Sequence, residues 1–564
     1  MNLSKFIIKL IAQVVIVITF FSTAQSKNID KFNDGKYISN YFSGILLFND
    51  SQYDSSAIYL KKLEGLENSY SQYSSRYLYS LINSGNFNKA YLYSKKLEKK
   101  NLNIYESDLI MGIYFLKNKH YDLSQKYFSR LDSRQSKFVL DNFIVNSLVN
   151  WGSFSNLSLE KAEKKIDAIN PRFKNLKKIQ KAFLHCYYAS PNTDLFFQRL
   201  STNKDIDFSR YNYFYVKYLT KSGKIEQAKK IIDTSLELFP RNVLLNQYKI
   251  DLSKNKNRDD FNCQNQSHVV AEILYIVANA LSTQSLYNFS NFFLNLSKYL
   301  NNDFYSFDTL LAENYYEMGE LEKSKKIYDS IGNNGAAFLW YASKQNAKIL
   351  SDKKKKKAAL KLLENAYKKH PNKNIYLKLD YAKFLKNNKK YNESVNVYSE
   401  ILKVIDKLHP LYPEITDGRG VAYERLGEWK KAEKDLLSSL EASPEQAYVI
   451  NYLAYSWLEQ GIKIEQSLKM LEKANKLKTN DPYIIDSLGW ALYKLGKYKD
   501  SKKYLQNAVE LLPADPTVND HYGDVLWKIG DTIQARYYWN YVLNLEETEK
   551  LVKESVKNKL ISGL

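Results

Sequence analysis

Six histidines, two cysteines and 61 carboxylates are the groups from which this 564-residue chain could assemble a catalytic or metal centre. The histidines are His120, His185, His268, His370, His409 and His521, and only His185 has a cysteine beside it, Cys186. Adjacent residues of a helix point in different directions, so that pair does not close on one ion. No histidine stands at metal-ligand spacing from another histidine, and no metal site is expected. Cys186 and Cys263 fall on different helical units. Export would permit a disulfide between them, but spacing alone does not bring them together, so free, partly buried thiols are expected. Nucleophilic catalysis advertises itself by a glycine-flanked serine, and phosphate chemistry by a glycine-rich loop ending in Lys and Ser or Thr; neither occurs, nor does HExxH. Carboxylate pairs at any separation arise by chance among 61, so paired-carboxylate chemistry gains no support. The expectation is a non-enzyme, with no catalytic residue and no cofactor.

What the chain does contain is a period. DSLGWALYKLGK (Asp486 to Lys497) recurs 34 positions later as DHYGDVLWKIGD (Asp520 to Asp531), with Gly489 matching Gly523, Leu492 matching Leu526 and Gly496 matching Gly530. Residues 413–446 place Gly420, Tyr423, Gly427, Ala432, Leu436 and Pro444 in the same slots, and 447–481 repeats them with one extra residue in its inner turn. Small residues early in each unit and again beyond its turn let two antiparallel helices approach, while large apolar residues fill the groove between them. Gly420, Ala432, Ala454, Ala474, Gly489, Ala508, Gly523 and Ala535 are the packing positions this predicts. Weaker units follow backwards at 375–412, 340–374, 305–339, 271–304 and 209–242, and Gly44, Leu78 and Gly112 keep the 34-residue step near the N-terminus.

Small residue, large residue, glycine turn, Ala or Ser, large residue, Ala, then Pro is a pattern that resembles the tetratricopeptide repeat. The resemblance implies an all-α solenoid, a right-handed superhelix of antiparallel helix pairs. The stretches GVAYERLGEW, NYLAYSWLEQG, DSLGWALYKLGKY, NDHYGDVLWKIGD and ARYYW are similar to exported tetratricopeptide proteins of alphaproteobacteria, most clearly over 375–549. By that resemblance the first helices line a concave face, and Asn451, Tyr455, Asp486, Trp490, Tyr493, Asp520, Asp524 and Trp527 share it as a ligand-binding groove. Rings beside amides and carboxylates suit an extended peptide. Trp490 and Trp527 equally suit packing against the next helix. Asp486 and Asp520 stand where a carboxylate clamp has basic residues, which favours a basic or neutral ligand.

The expected organisation is a signal peptide at 1–24, tetratricopeptide-like repeats at 25–137, an irregular helical segment at 138–208, a repeat and following helix at 209–252, a polar linker or hinge at 253–268, central repeats at 271–412, well-formed repeats at 413–549 and a capping helix at 550–564. Lys5 and Lys9 ahead of the short apolar run LIAQVVIVITFF, with Ser22 and Ala24 after it, describe a secretory leader; an uncleaved anchor is the alternative. No later stretch is apolar enough to cross a bilayer, so the mature chain is expected in the periplasm or on the periplasmic face of a membrane, among envelope proteins. The formal charge of +22 has two readings: a Lys-rich composition of the kind an AT-rich genome encodes, or a basic surface for an anionic polymer or membrane. The run SDKKKKKAAL (Ser351 to Leu360) is read as a solvated turn, and nucleic acid is not an expected partner.

Overall fold

Close approach of helices is built into the backbone wherever a slot lacks a side chain. A Cβ added to Gly489 would lie 2.7 Å from Leu505 Cγ, one at Gly420 3.0 Å from Leu436 Cγ, and one at Gly523 2.5 Å from Trp539 Nε1. Ala432, Ala454, Ala474, Ala508 and Ala535 are fully buried in the matching slots. The computed structural model describes residues 35–132, 139–202, 208–256, 258–546 and 548–564. The leader expected at 1–24 lies outside them. Among the described residues there are thirty α-helices and no β-strand.

A serine in the second helix adds a bond that its size alone does not reveal. Ser56, Ser124, Ser324, Ser394 and Ser501 each donate to the carbonyl twelve residues earlier, those of Gly44, Gly112, Ala312, Ala382 and Gly489, at 2.7–2.9 Å. The unit with the extra turn residue breaks the register. There Lys463 takes a left-handed conformation (φ 49°), Ser467 falls thirteen residues after Ala454, and its buried hydroxyl has no partner. The turn glycines Gly496 and Gly530 have φ of 72° and 94°, which a glycine adopts without strain. Asp481 and Asp515 cap the helices that follow, each accepting two backbone N–H groups ahead of a proline at the first helical position.

The chain divides into two compact units, with the boundary between Asn372 and Lys373. In the first unit the helix hairpin Gln266–Ser282 and Tyr287–Leu300 lies against Ser71–Asn83, Tyr105–Lys117 and Val139–Ser153, the first helices of earlier pairs. Tyr79 stacks on Phe292 with centroids 4.9 Å apart, and Asn288 Nδ2 donates to Ser51 Oγ at 2.8 Å. At the hairpin's start Arg210 grips the buried Glu272 with two bonds of 2.6 and 2.8 Å, while its guanidinium lies 3.7 Å from the Tyr275 ring centre. The face that these early first helices present is therefore occupied by the chain itself.

Two expectations change here. The segment at 253–268 is a loop inside the first unit and not a hinge between halves: its described residues are non-helical from Lys254 to Lys256 and from Arg258 to Asn265, and Gln266 onward is helix. Tyr213 Oη donates to both oxygens of Asp260 at 2.8 and 2.6 Å, Asn301 Nδ2 donates to its carbonyl at 2.9 Å, and Phe261 is buried. Nor are the cysteines free. With the loop pinned, Cys263 meets Cys186 of helix Lys174–Tyr187 in a disulfide, Cα atoms 5.8 Å apart across a separation of 77 residues. Within the stretch expected to be irregular, the described residues form Val139–Ser153, Leu159–Asp167, Lys174–Tyr187 and Thr193–Ser201, which are ordinary helices.

The second unit contains five helix pairs: Ile375–Asn387 with Tyr391–Leu402, Tyr412–Arg425 with Trp429–Ala442, Ala447–Glu459 with Ile464–Leu477, Pro482–Lys494 with Tyr498–Leu511, and Pro516–Lys528 with Thr532–Asn544. Lys550–Ser562 closes the array, burying Val556 and packing Val552 and Leu560 against the last pair.

Candidate functional site

Positions three residues before the small slot of each first helix repeat along one side of the second unit: Asp417, Asn451, Asp486 and Asp520. The residues just after the slot, Tyr455, Trp490 and Asp524, flank that line. Asn451 and Tyr455 are half-buried, and the Asn451 Oδ1 atom is buried without a hydrogen-bond donor. Burial, then the charges of Glu459, Asp486, Asp520 and Asp515, pushes the Tyr455 hydroxyl well above the usual tyrosine range.

The next two helices are tied together. Asp486 is buried and accepts from His521 Nδ1 at 2.9 and 3.1 Å. The His521 ring lies flat on Trp490, centroids 3.9 Å apart at 11°, and Tyr493 stacks on the same indole at 4.6 Å. Trp490 is 7% exposed and its Nε1 donates to Glu459 at 2.8 Å. The structure thus places Trp490 in the joint between repeats, with Tyr493 half-buried beside it. Although burial favours the neutral ring, the carboxylates of Asp486, Asp520 and Asp524 outweigh it and hold His521 above the ordinary histidine value.

At the end of the array the acids are taken by the closing helix. Lys559 Nζ donates to Asp520 at 2.8 Å and to both oxygens of Asp524 at 2.7 and 2.9 Å. Asp524 also accepts from Trp539 Nε1 at 3.0 Å; burial and the neighbouring Asp520 raise its carboxyl above the usual range. Trp527 is half-buried, 5.5 Å from Trp539 and covered by the backbone of Gly563.

Of the eight groove positions expected from sequence, Asp486, Trp490 and Asp524 are therefore joints between helices, while Asn451, Tyr455, Tyr493, Asp520 and Trp527 keep part of their surface open. Sequence reasoning passed over His521, whose partner stands one repeat away rather than at metal-ligand spacing. It also passed over Tyr448 and Tyr483, 53% and 54% exposed at the starts of their helices. The shared slot number was the signal available for both. His185, by contrast, bonds Ser190 and Glu163, each at 2.9 Å, and stacks on Phe196, turned away from Cys186. No group of residues able to hold a metal ion is found among the described residues, and none of their helices is long and apolar enough to cross a membrane.

Antiparallel helix pairs at 34-residue spacing, joined through small slots and closed by a single helix, define a tetratricopeptide-repeat solenoid. No family model matches the sequence. A curated TPR repeat-containing protein of Pseudomonas aeruginosa is 28% identical over 195 residues, 33% of this chain and 32% of that protein, so the chain aligns with about a third of that relative's length. Among solved structures, MamA from Desulfovibrio magneticus RS-1 is 18% identical with a TM-score of 0.27, covering 31% of this chain and 97% of its own. The thermophilic TPR protein TTC0263 of Thermus thermophilus is 16% identical with a TM-score of 0.29, covering 33% of this chain and 100% of its own.

Proposed function

We propose that this protein is a non-enzymatic scaffold of the cell envelope, holding extended segments of partner proteins along the first helices of its second unit. The observation that carries this reading is the unequal treatment of the two units. In the first, the comparable face is filled by the hairpin that begins at Gln266. In the second, half-buried Asn451 and Tyr455 and exposed Tyr448 and Tyr483 stay open on neighbouring helices. The exposed ring of Tyr483 supplies contact area at low entropic cost, and an amide can bond an extended backbone. The apolar leader supports export, and the Cys186–Cys263 disulfide suits an oxidising compartment. The test is in-cell photo-crosslinking from position 483, with fractionation of the crosslinked material. A small set of envelope proteins captured there supports the reading; crosslinks confined to the chain itself refute it.

A second reading is binding of an anionic envelope polymer or membrane surface. It is favoured by the net charge of +22 and by Lys353 to Lys357, all exposed at one helix turn. Such binding weakens steeply with added salt, whereas groove binding of a peptide through rings and amides changes little.

A further inference from the structure

Four equivalent positions in the second unit carry oxygen acceptors, and the chain satisfies only the last two. Asp486 is bound by His521 and Asp520 by Lys559, at 2.9 and 2.8 Å, each cation coming from a helix further along the array. Asp417 makes no hydrogen bond or ion pair among the described residues, and Asn451 presents a buried Oδ1 with no donor. Where this slot is filled, its chemistry is an oxygen taking an N–H from a cationic side chain. In the other two positions the acceptor lacks such a partner: the Asn451 oxygen is buried without a donor, and the half-buried Asp417 lies near Lys386 without pairing to it.

We propose that the groove binds its partner segment by Lys or Arg side chains, seated along Asp417, Asn451 and Tyr455. The inference rests on the groove reading above and adds the chemical class of the ligand. Three further facts support it. Burial first, and then the charges of Glu459, Asp486, Asp520 and Asp515, hold the proton on the Tyr455 hydroxyl, so the charges acting on this half-buried ring are acidic. Of the two lysines nearest Asp417, Lys383 is engaged with Glu414, and Lys386 stays short of ion pairing with Asp417. Finally, a chain of net charge +22 repels basic ligands in general, so a basic segment is retained only where local acids face it.

The test uses the full chain with p-benzoylphenylalanine in place of the exposed Tyr448, photolysed with a random-sequence peptide library, followed by sequencing of the captured peptides. Captured sequences are expected to be enriched in Lys and Arg. A captured lysine peptide, measured by fluorescence anisotropy, is expected to bind about tenfold more weakly to Asp417→Asn and more tightly to Asn451→Asp. Replacing its lysine by norleucine should remove both effects. Peptides captured without basic enrichment, or affinities indifferent to both substitutions, overturn the cationic ligand while leaving the groove reading intact. No capture from position 448 overturns both. Asn451→Asp adds charge without removing an existing bond, so the inference stays falsifiable if Asp417→Asn fails to fold.

Discussion

His521 and Asp486 are 35 residues apart in sequence and bonded at 2.9 Å, both nearly excluded from solvent, with the imidazole flat against Trp490. The pair stitches one repeat to the next. Asp486, Asp520 and Asp524 raise the imidazole's proton affinity above the ordinary value of 6.5, and Tyr455 and Trp490 complete its surroundings. A histidine whose folded value is raised contributes stability that is fully present below 6.5 and is lost as pH rises through the folded value. The thermal midpoint is therefore expected to fall as pH increases above 6.5, a slope that His521→Gln should abolish. His521→Ala, which leaves Asp486 buried and unpaired, should cost about 3–5 kcal/mol by urea denaturation at neutral pH.

Ser501 and Ser467 occupy the same slot of neighbouring repeats, yet only Ser501 reaches a carbonyl, that of Gly489 at 2.7 Å. Ser501→Ala should therefore lower stability by about 1 kcal/mol, while Ser467→Ala, which removes an unbonded buried hydroxyl, should be neutral or stabilising. Equal effects from the two changes would mean that the carbonyl bond contributes nothing.

Gly489→Leu and Trp490→Ala test whether adjacent residues serve one joint. Leucine at 489 meets Leu505, an overpacking expected to cost about 1–3 kcal/mol. Alanine at 490 removes a nearly buried indole and its bond to Glu459, at about 3–5 kcal/mol. A Trp490→Ala protein as stable as the parent would return that ring to the open groove.

The repeat architecture was legible because glycine and alanine mark the slots of the last four units. The central units read weakly for a physical reason: left-handed turn positions are held there by Ser285, Lys354 and Lys389, as by Lys119 nearer the N-terminus, at φ of 58–61°, and these carry no glycine signal. The groove line was half legible. Asn451, Asp486 and Asp520 share a slot number that sequence supplies, but which of them is already bonded depends on His521 and Lys559, placed by the neighbouring helices. The hairpin that fills the first unit was not legible at all, since Tyr79 and Phe292 meet across more than 200 residues without any local pattern.

Cys186 and Cys263 close a loop of 77 residues, for which restriction of the unfolded chain corresponds to about 4–5 kcal/mol. Reduction, or Cys186→Ser with Cys263→Ser, should destabilise the first unit and leave the second unaffected. Hydrogen exchange should show faster opening of Lys174–Tyr187 and of the helix starting at Gln266, with no change in Pro482–Lys494. Uniform loss of protection in both units would contradict their division at Asn372.

Lys559 is the only cation bonded to Asp520 and Asp524 among the described residues, so its removal leaves two crowded carboxylates, one of them buried. Lys559→Met keeps the apolar stem and should still cost about 3 kcal/mol at neutral pH, loosening the helix Lys550–Ser562 first. Asp524 already sits above its ordinary value of 3.8 through burial and Asp520, and loss of the ammonium moves it further in that direction. A carboxyl raised in the folded state favours folding below 3.8 and disfavours it as pH rises through the folded value. The deficit of Lys559→Met should accordingly shrink as pH is lowered from 7 toward 4, and Asp524→Asn in the same chain should restore most of the loss. A deficit that stays constant across this range would mean that Lys559 acts through the packing of its stem and not through its charge.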